Sequence, residues 1–497
     1  GSEAYPAPEP GKACHGANIV RQAPKSLIAV LCAATLAGCG SWSDALLGGN
    51  RPTEGTPGFV RGFLGGVVAD EPRAAFAGRD ILAAGGSAVD AAVAVGFTLG
   101  VTLPSRASLG GGGVCLAFDP RRNETISVQF LPGLPAVAPG ADRPAALPGT
   151  PRGLFALHAR LGRLPFEQVI APAEQAARFG TPASRAFVTD LAAVWQPLSA
   201  DPQAREIFGA AGGTRPVAEG DTVTQLELAN LIGTIRRQGV GELYQGNLAR
   251  RLADASAAAG GAFTVEELRA TLPRAALAAT APLGADQVHV SAVGGSVGAA
   301  VMLQRLRARA SPGEAEAAAL AAAAAVRAGA DPVSLLGGAA PAGGSVPPVL
   351  GATTGFTVLD RNGQAVACAL TMNNLFGTGR IAPTLGLVLA AAPGVGAVPP
   401  ALPAVLMVTN PNVRAFRLAG TASGGEAAPV ALGAAAARAM AGESAQAALA
   451  GPRSLRGAED GVSRANLISC SRYLPGSNGS CTWATDPRGS GLALGAD

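Results

Sequence analysis

Histidine is nearly missing from this chain: of 497 residues only His15, His158 and His289 carry an imidazole. A histidine-rich metal site or a histidine relay would need almost all three, and they share no ligand spacing. Charge is sparse as well, at 14% of residues, and its 38 basic and 34 acidic side chains are scattered without blocks. A net charge of +4 with no basic stripe gives a nucleic-acid partner no electrostatic footing. No repeat period is evident, which sets aside solenoids and propellers. What is present is ordinary globular material: 48% hydrophobic residues, with 68 glycines and 38 prolines that stay below the range of disordered low-complexity chains. The length suits one large domain or two to three smaller ones, with ample material for a buried core.

The first fifty residues read as an address. Arg21 and Lys25 precede an apolar run over residues 26–37, and Leu36-Ala37-Gly38-Cys39 supplies small residues ending in a cysteine. The run is too short to remain as a membrane span and reads as an export signal over residues 17–38. Leu36 to Cys39 resembles the bacterial lipoprotein box, which implies lipidation of Cys39 and anchoring of an exported, periplasmic protein to a membrane by lipid alone. A plain secretory signal or a buried helix is the alternative. Residues 1–16 are an N-terminal extension, and residues 39–56, rich in Gly, Ser and Pro, a flexible tether. Cys14 and Cys32 precede the cleavage point. Cys115 and Cys368 lie in separate strand-like runs and read as buried thiols. Cys470 and Cys481 flank a polar loop, and in an oxidising compartment are expected to form a disulfide contributing about 2–3 kcal/mol. A Cys/His protease has no support.

The body alternates helix and strand patterns. Apolar spacing over residues 75–101, broken at Gly85-Gly86, predicts two helices. Further helices are expected over residues 153–161, 166–179, 226–238 and 247–259, and Thr264 with Glu267 has the spacing of a capping box. Residues 314–329, dominated by alanine, read as a helix against a core rather than a membrane span. Strands are expected over residues 288–293, 355–360, 365–371 and 404–409. The Gly- and Pro-rich stretch between Asp331 and Ala352 is expected to be an irregular, mobile surface loop.

Two motifs carry less than they promise. Gly294-Gly295-Ser296-Val297-Gly298 matches the nucleophile-elbow pattern, but no histidine follows His289 to serve as base, so it reads as a turn into a helix. Leu109-Gly110-Gly111-Gly112-Gly113 neither follows a strand nor opens a helix as a dinucleotide fingerprint must. It reads as a place where backbones touch.

Several motifs, taken in order, do point somewhere. Residues 83–94 (Ala-Ala-Gly-Gly-Ser-Ala-Val-Asp-Ala-Ala-Val-Ala) and 109–114 are followed by Leu147-Pro148-Gly149-Thr150, Leu161-Gly162-Arg163-Leu164-Pro165, Gly220-Asp221 and Leu243-Tyr244-Gln245-Gly246. Then come residues 353–360 (Thr-Thr-Gly-Phe-Thr-Val-Leu-Asp), Leu370 to Asn373, Phe376 to Gly379, Ser423-Gly424-Gly425 and Asp486-Pro487-Arg488. This ordered set resembles the γ-glutamyltransferase family of N-terminal-nucleophile hydrolases across residues 56–495. The resemblance implies an α+β, four-layer αββα fold made as one precursor. Its large-subunit region spans residues 57–352 and its small-subunit region residues 353–497, joined as a heterodimer after self-cleavage between Ala352 and Thr353. It also implies a small-molecule amide substrate and no cofactor. Thr353 would be the nucleophile and its freed α-amine, with an ordinary pKa of about 7.7–8.0, its own base, so that no histidine is needed. Thr371 matches the position that orients the nucleophile, Gly424 and Gly425 the oxyanion-stabilising pair, and Asn373 a residue that binds the substrate's amino group.

The grip on a glutamyl head group departs from the family pattern. Leu131 and Pro132 stand where the family has an Arg-Glu pair, residues 390–395 (Ala-Ala-Ala-Pro-Gly-Val) replace its polar amino-binding stretch, and residues 399–403 replace its paired serines. Gly355 stands where a histidine is common. Arg106 or Arg380 could supply a substitute cation. The resemblance therefore implies an amide hydrolase or acyltransferase acting on γ-glutamyl or related acyl-amide compounds. The missing grip keeps two alternatives open: an acylase-like hydrolase for apolar acyl groups, and a catalytically dead lipoprotein scaffold.

Overall fold

A computed structural model describes Gly1 and residues 52–135, 142–338, 352–393, 403–424, 427–452 and 463–496. The chain divides into Gly1–Pro52 and Thr53–Asp497, and nearly all of the described structure belongs to the second unit. The export signal, Cys39 and most of the tether lie outside the described residues.

Two antiparallel sheets form the centre. The seven-stranded sheet runs in the order Leu492–Ala496, Gly65–Ala69, Thr353–Asp360, Ala365–Thr371, Gly112–Asp119, Glu124–Phe130 and Arg274–Leu277. The six-stranded sheet runs Cys481–Thr485, Arg464–Leu474, Ala415–Ser423, Ala404–Asn410, Asp286–Val290 and Ala279–Leu283. Strands Thr353–Asp360 and Ala365–Thr371 are buried at every position, as strands covered on both faces must be. The strand period of two sorts their side chains. Leu116, Leu359, Ala367 and Ala369 meet Val405, Met407, Ala419 and Ile468 of the second sheet. Phe356, Val358, Cys368 and Leu370 face the opposite way, into the core built by helix Ala88–Thr102. Helices Gly294–Arg307 and Ala428–Met440 cover the outer face of the second sheet through Val297, Leu303, Leu432 and Ala436. The result is the four-layer αββα sandwich.

Helix Ala88–Thr102 shows how two motifs of the resemblance hold each other. Its residues are small or aliphatic apart from Asp90 and Phe97, and all fifteen are buried. Ser87 and Asp90 form a capping box at its start. The Asp90 carboxylate also accepts the amides of Arg163 and Leu164 at 3.0–3.1 Å and pairs with His158 at 3.3 Å. The buried acid is thus satisfied by the Gly162–Pro165 turn. Replacing Asp90 by alanine would strip acceptors from several amides at once, a loss of roughly 1–3 kcal/mol for each donor left unpaired.

The expected helices form, with shifted ends. Residues 166–179 split into Phe166–Val169 and Ala171–Phe179. Thr264 and Glu267 make the expected capping box before Val265–Ala270. The Gly294–Gly298 motif is the first turn of helix Gly294–Arg307, and the Ser296 hydroxyl accepts the Val405 amide at 3.0 Å. Two expectations need correction. The stretch after Asp331 does contain regular structure: Asp331 caps a short helix, Pro332–Leu336; residues 339–351 lie outside the described residues. Cys115 and Cys368 are not separate thiols. They stand opposite each other on neighbouring antiparallel strands, with Cα atoms 4.1 Å apart, and form a disulfide. Strand pairing across 253 residues of sequence created that proximity. Cys470 and Cys481 form the expected second bridge.

Candidate active site

One end of the seven-stranded sheet gathers the residues that the sequence singled out. Thr353 begins its strand and Thr371 ends the next, so antiparallel pairing sets them directly opposite each other. Thr371 in turn stands opposite Gly112. Thr353 is 6% exposed and Thr371 fully buried, both facing the second sheet. The Thr353 hydroxyl donates to Thr371 Oγ1 at 3.3 Å. The Thr371 hydroxyl donates to the Ala352 carbonyl at 3.3 Å, while the Asn373 amide donates to Thr371 Oγ1 at 3.0 Å. A second donor, the Met372 amide, reaches the Ala352 carbonyl at 3.0 Å. The carbonyl preceding Thr353 therefore lies between two hydrogen-bond donors, the arrangement that stabilises a developing oxyanion.

The glycine cluster lets the chain come this close. A Cβ on Gly111 would sit 2.6 Å from the Thr371 carbonyl oxygen, and one on Gly110 or Gly113 would collide with the Val388 or Ala369 carbonyl. The Gly111 carbonyl accepts from Gly149 and Thr150, which ties the Leu147–Thr150 motif to the same spot. Gly355 is explained by crowding too: any Cβ there would run into the Thr421 side chain, so a histidine cannot occupy this position without moving the second sheet.

Asp70, which sequence reasoning missed, joins the two sheets at this end. Its Oδ2 accepts from the Thr354 hydroxyl and the Gly355 amide, each at 2.9 Å, and from the Ser423 hydroxyl at 3.4 Å. Its Oδ1 accepts from Asn466 at 3.0 Å, and Asn466 also donates to the Gly355 carbonyl at 2.7 Å. Ser423 ends its strand immediately before Gly424, whose φ of 75° favours glycine and whose carbonyl accepts the Ser463 hydroxyl at 2.7 Å. Gly424 is thus linked to strand Thr353–Asp360 through Ser423 and Asp70; Gly425 lies outside the described residues. The sequence signal for Asp70 was faint, an acidic pair directly after an apolar strand.

The segments beside the glycine cluster are apolar. Leu131 is 38% exposed, and it and Pro132 lie against Gly112. Ala390, Ala391 and Ala392 are buried; the Ala390 amide donates to the Gly110 carbonyl and the Ala391 amide to the Met372 carbonyl, each at 3.1 Å. The Asn373 amide group donates to the Ala391 carbonyl at 2.8 Å. Of residues 394–403, only Pro403 is described. Neither substitute cation stands idle. Arg106 forms a two-pronged pair with Asp190, and Arg380 binds Asp142 through two 2.9 Å contacts. His289 lies in the second sheet between Thr280 and Thr409, and burial pushes its pKa down to about 4. Among the described residues no cluster of three or more His, Cys, Asp or Glu side chains could hold a metal.

Comparison with known proteins finds similarity in sequence and in fold. The gamma-glutamyltranspeptidase family model matches residues 74–320, a stretch that ends before strand Thr353–Asp360. The glutathione hydrolase proenzyme of Bacillus subtilis (strain 168) is 31% identical over 222 residues, 41% of this chain and 37% of that protein. The glutathione hydrolase proenzyme of Escherichia coli (strain K12) is 33% identical over 229 residues, 42% of this chain and 39% of its own. The chain thus spans about two fifths of the length of these curated relatives. Among solved structures, a cephalosporin acylase from Bacillus halodurans superposes with a TM-score of 0.69 at 18% identity, covering 88% of this chain and 96% of that one, which shows a shared fold. The matched sequence leads to one assignment: over residues 74–320 the chain is similar to the gamma-glutamyltranspeptidase family.

Proposed function

We propose that the chain is a self-cleaving amide hydrolase or acyltransferase that splits between Ala352 and Thr353 and then uses Thr353 as an N-terminal nucleophile. The observation that carries this reading is the Ala352 carbonyl, held by the Met372 amide and the Thr371 hydroxyl beside the Thr353 hydroxyl. Attack of Thr353 Oγ1 on the Ala352 carbonyl carbon would place negative charge on that oxygen, between its two donors. Breaking the peptide C–N bond then leaves an ester on Thr353. Water hydrolyses the ester, giving a carboxylate on Ala352 and a free amine on Thr353. That amine takes the proton from the Thr353 hydroxyl as it attacks the substrate amide, and returns it to the leaving amine. Gly424 and Gly425 would stabilise the substrate oxyanion. The relatives' printed name, proenzyme, is consistent with such a maturation. Denaturing, reducing electrophoresis of purified protein should show two fragments, the smaller beginning Thr353-Thr354-Gly355, and Thr353→Ala should stay whole. A folded wild type that never cleaves would overturn this reading in favour of a scaffold.

The apolar wall favours a second, narrower reading in which the acyl group is uncharged. Leu131, Pro132 and Ala390 to Ala392 offer no partner to a zwitterionic head group, and burying both of its charges unpaired would cost several kcal/mol. Asn373 remains the proposed contact on the amino side, through whatever capacity its bond to Ala391 leaves. We also propose export with lipidation at Cys39. Two disulfides suit an oxidising compartment, and among the described residues no helix is long and apolar enough to cross a membrane. Cys39→Ser should move the protein from the membrane fraction to the soluble one; an unmodified Cys39 in the wild type would remove the anchor.

A further inference from the structure

The Cys115–Cys368 bridge joins residues on opposite sides of the Ala352/Thr353 junction. Cys115 belongs to strand Gly112–Asp119 in the large-subunit region, and Cys368 to strand Ala365–Thr371 in the small-subunit region. The other bridge, Cys470–Cys481, closes wholly within the small-subunit region. We propose that the mature protein is a covalent heterodimer whose two fragments stay joined by Cys115–Cys368 after cleavage. This rests on the self-cleavage reading above.

Place and chemistry both favour the link. The two cysteines are register partners in an antiparallel ladder and are fully buried, so exposed thiols and reductants in solution do not reach the bridge in the folded state. Forming it removes two protons and two electrons from the thiols, and a disulfide-bearing oxidant of the exported compartment, reduced to its dithiol, accepts them by thiol–disulfide exchange. Burial requires that this exchange precede completion of the fold. Cys368 lies three residues before Thr371 and Cys115 three residues after Gly112, so the bridge sits about 10 Å along the strands from that pair. It fixes the register in which Thr371 meets the glycine cluster, and a slip of one residue would turn Thr371 to the other face.

The sheet itself is composite. Strands Leu492–Ala496, Thr353–Asp360 and Ala365–Thr371 come from the small fragment, and the strands from Gly65, Gly112, Glu124 and Arg274 from the large one. Hydrogen bonds and packing would hold the fragments together without the bridge, but as an assembly that depends on concentration. The covalent link makes assembly independent of concentration, because unfolding no longer releases one fragment from the other.

The test uses the full mature protein, with free thiols alkylated before denaturation. Reduced gels report cleavage, and non-reduced gels report the link. The wild type should give two bands when reduced and one band of full mass when not reduced. Cys115→Ser and Cys368→Ser should each give two bands under both conditions, and Cys470→Ser should behave as wild type. Two bands from non-reduced wild type would overturn the proposal while leaving the cleavage reading intact. A single non-reduced band that persists in Cys115→Ser would overturn it as well, by placing the link elsewhere. One band even after reduction defeats the cleavage reading instead. Where a serine variant fails to fold, the wild type decides alone: its melting temperature should not change over a hundredfold dilution, and a fall on dilution counts against the covalent dimer.

Discussion

The candidate site has two walls of opposite character. The threonine wall is polar and closely bonded: Thr353, Thr371, the amides of Met372 and Asn373, and the Asp70 carboxylate that ties Thr354 to Ser423. The neighbouring apolar wall of Leu131, Pro132 and Ala390 to Ala392 bonds only through its backbone, where it braces the glycine cluster and Met372. On the proposed function, the difference teaches that reaction and recognition are separable in this fold. The geometry that would cut an amide depends on strand register and two donors, whereas choice of acyl group would depend on side chains from loops that can change without disturbing that register.

The comparison predicts where substitutions hurt. The largest effect is expected from Thr371→Val, which removes a donor to the Ala352 carbonyl and the partner of the nucleophile's hydroxyl. Self-cleavage, followed by gel densitometry, should slow about 100- to 1,000-fold. Asp70→Ala should slow it less while lowering stability on the order of 3 kcal/mol, because the Thr354, Gly355 and Asn466 donors lose their acceptor. Cleavage at wild-type rate in Thr371→Val would show that the polar wall is structural only.

A smaller effect is expected on the other wall. Turnover of an uncharged acyl anilide should exceed that of a γ-glutamyl anilide by about tenfold or more, as the missing carboxylate and ammonium partners require. Leu131→Arg should narrow that gap by raising γ-glutamyl turnover with self-cleavage unchanged. Strong γ-glutamyl turnover by the wild type would instead mean that the apolar wall is not the specificity wall.

The smallest effect compares the two sheets through pH. Burial pushes the Asp360 carboxyl, at the far end of the nucleophile strand, up to about 6, and burial pushes His289 of the second sheet down to about 4. Asp360 contributes stability that is fully present below its unfolded pKa, near 4, and lost as pH rises toward 6. His289 acts oppositely, with stability lost as pH falls from about 6.5 toward 4. Each is worth on the order of 3 kcal/mol, so the two slopes nearly cancel between pH 4 and 6. Asp360→Asn should expose a stability curve that climbs with pH in that window, and His289→Gln one that falls. Parallel urea titrations of both variants that stay flat across the window would remove this account.

Much of the fold was legible because its signals are local. The helix after Ser87, the capping box at Thr264 and strand Ala365–Thr371 all rest on periodicity or caps that a short window contains. The short helix Pro332–Leu336 was missed because glycine and proline around it masked a five-residue signal. Asp70 was missed for a different reason. Its partners lie 284, 285, 353 and 396 residues away, so no local pattern marks it.

The same division holds for the candidate site as a whole. The sequence by itself determined the chemistry available: almost no histidine, a threonine that could supply its own base, and glycines where backbones must touch. Through the resemblance it also raised the expectation that the acyl grip lacks charge. Only the tertiary structure decided which of these groups meet. Antiparallel pairing set Thr353 against Thr371 and Cys115 against Cys368, and the end of the sheet set two donors on the Ala352 carbonyl. The physical reason is that sheet register brings together residues far apart in the chain, and the energy that fixes it comes from packing between layers that no single segment encodes.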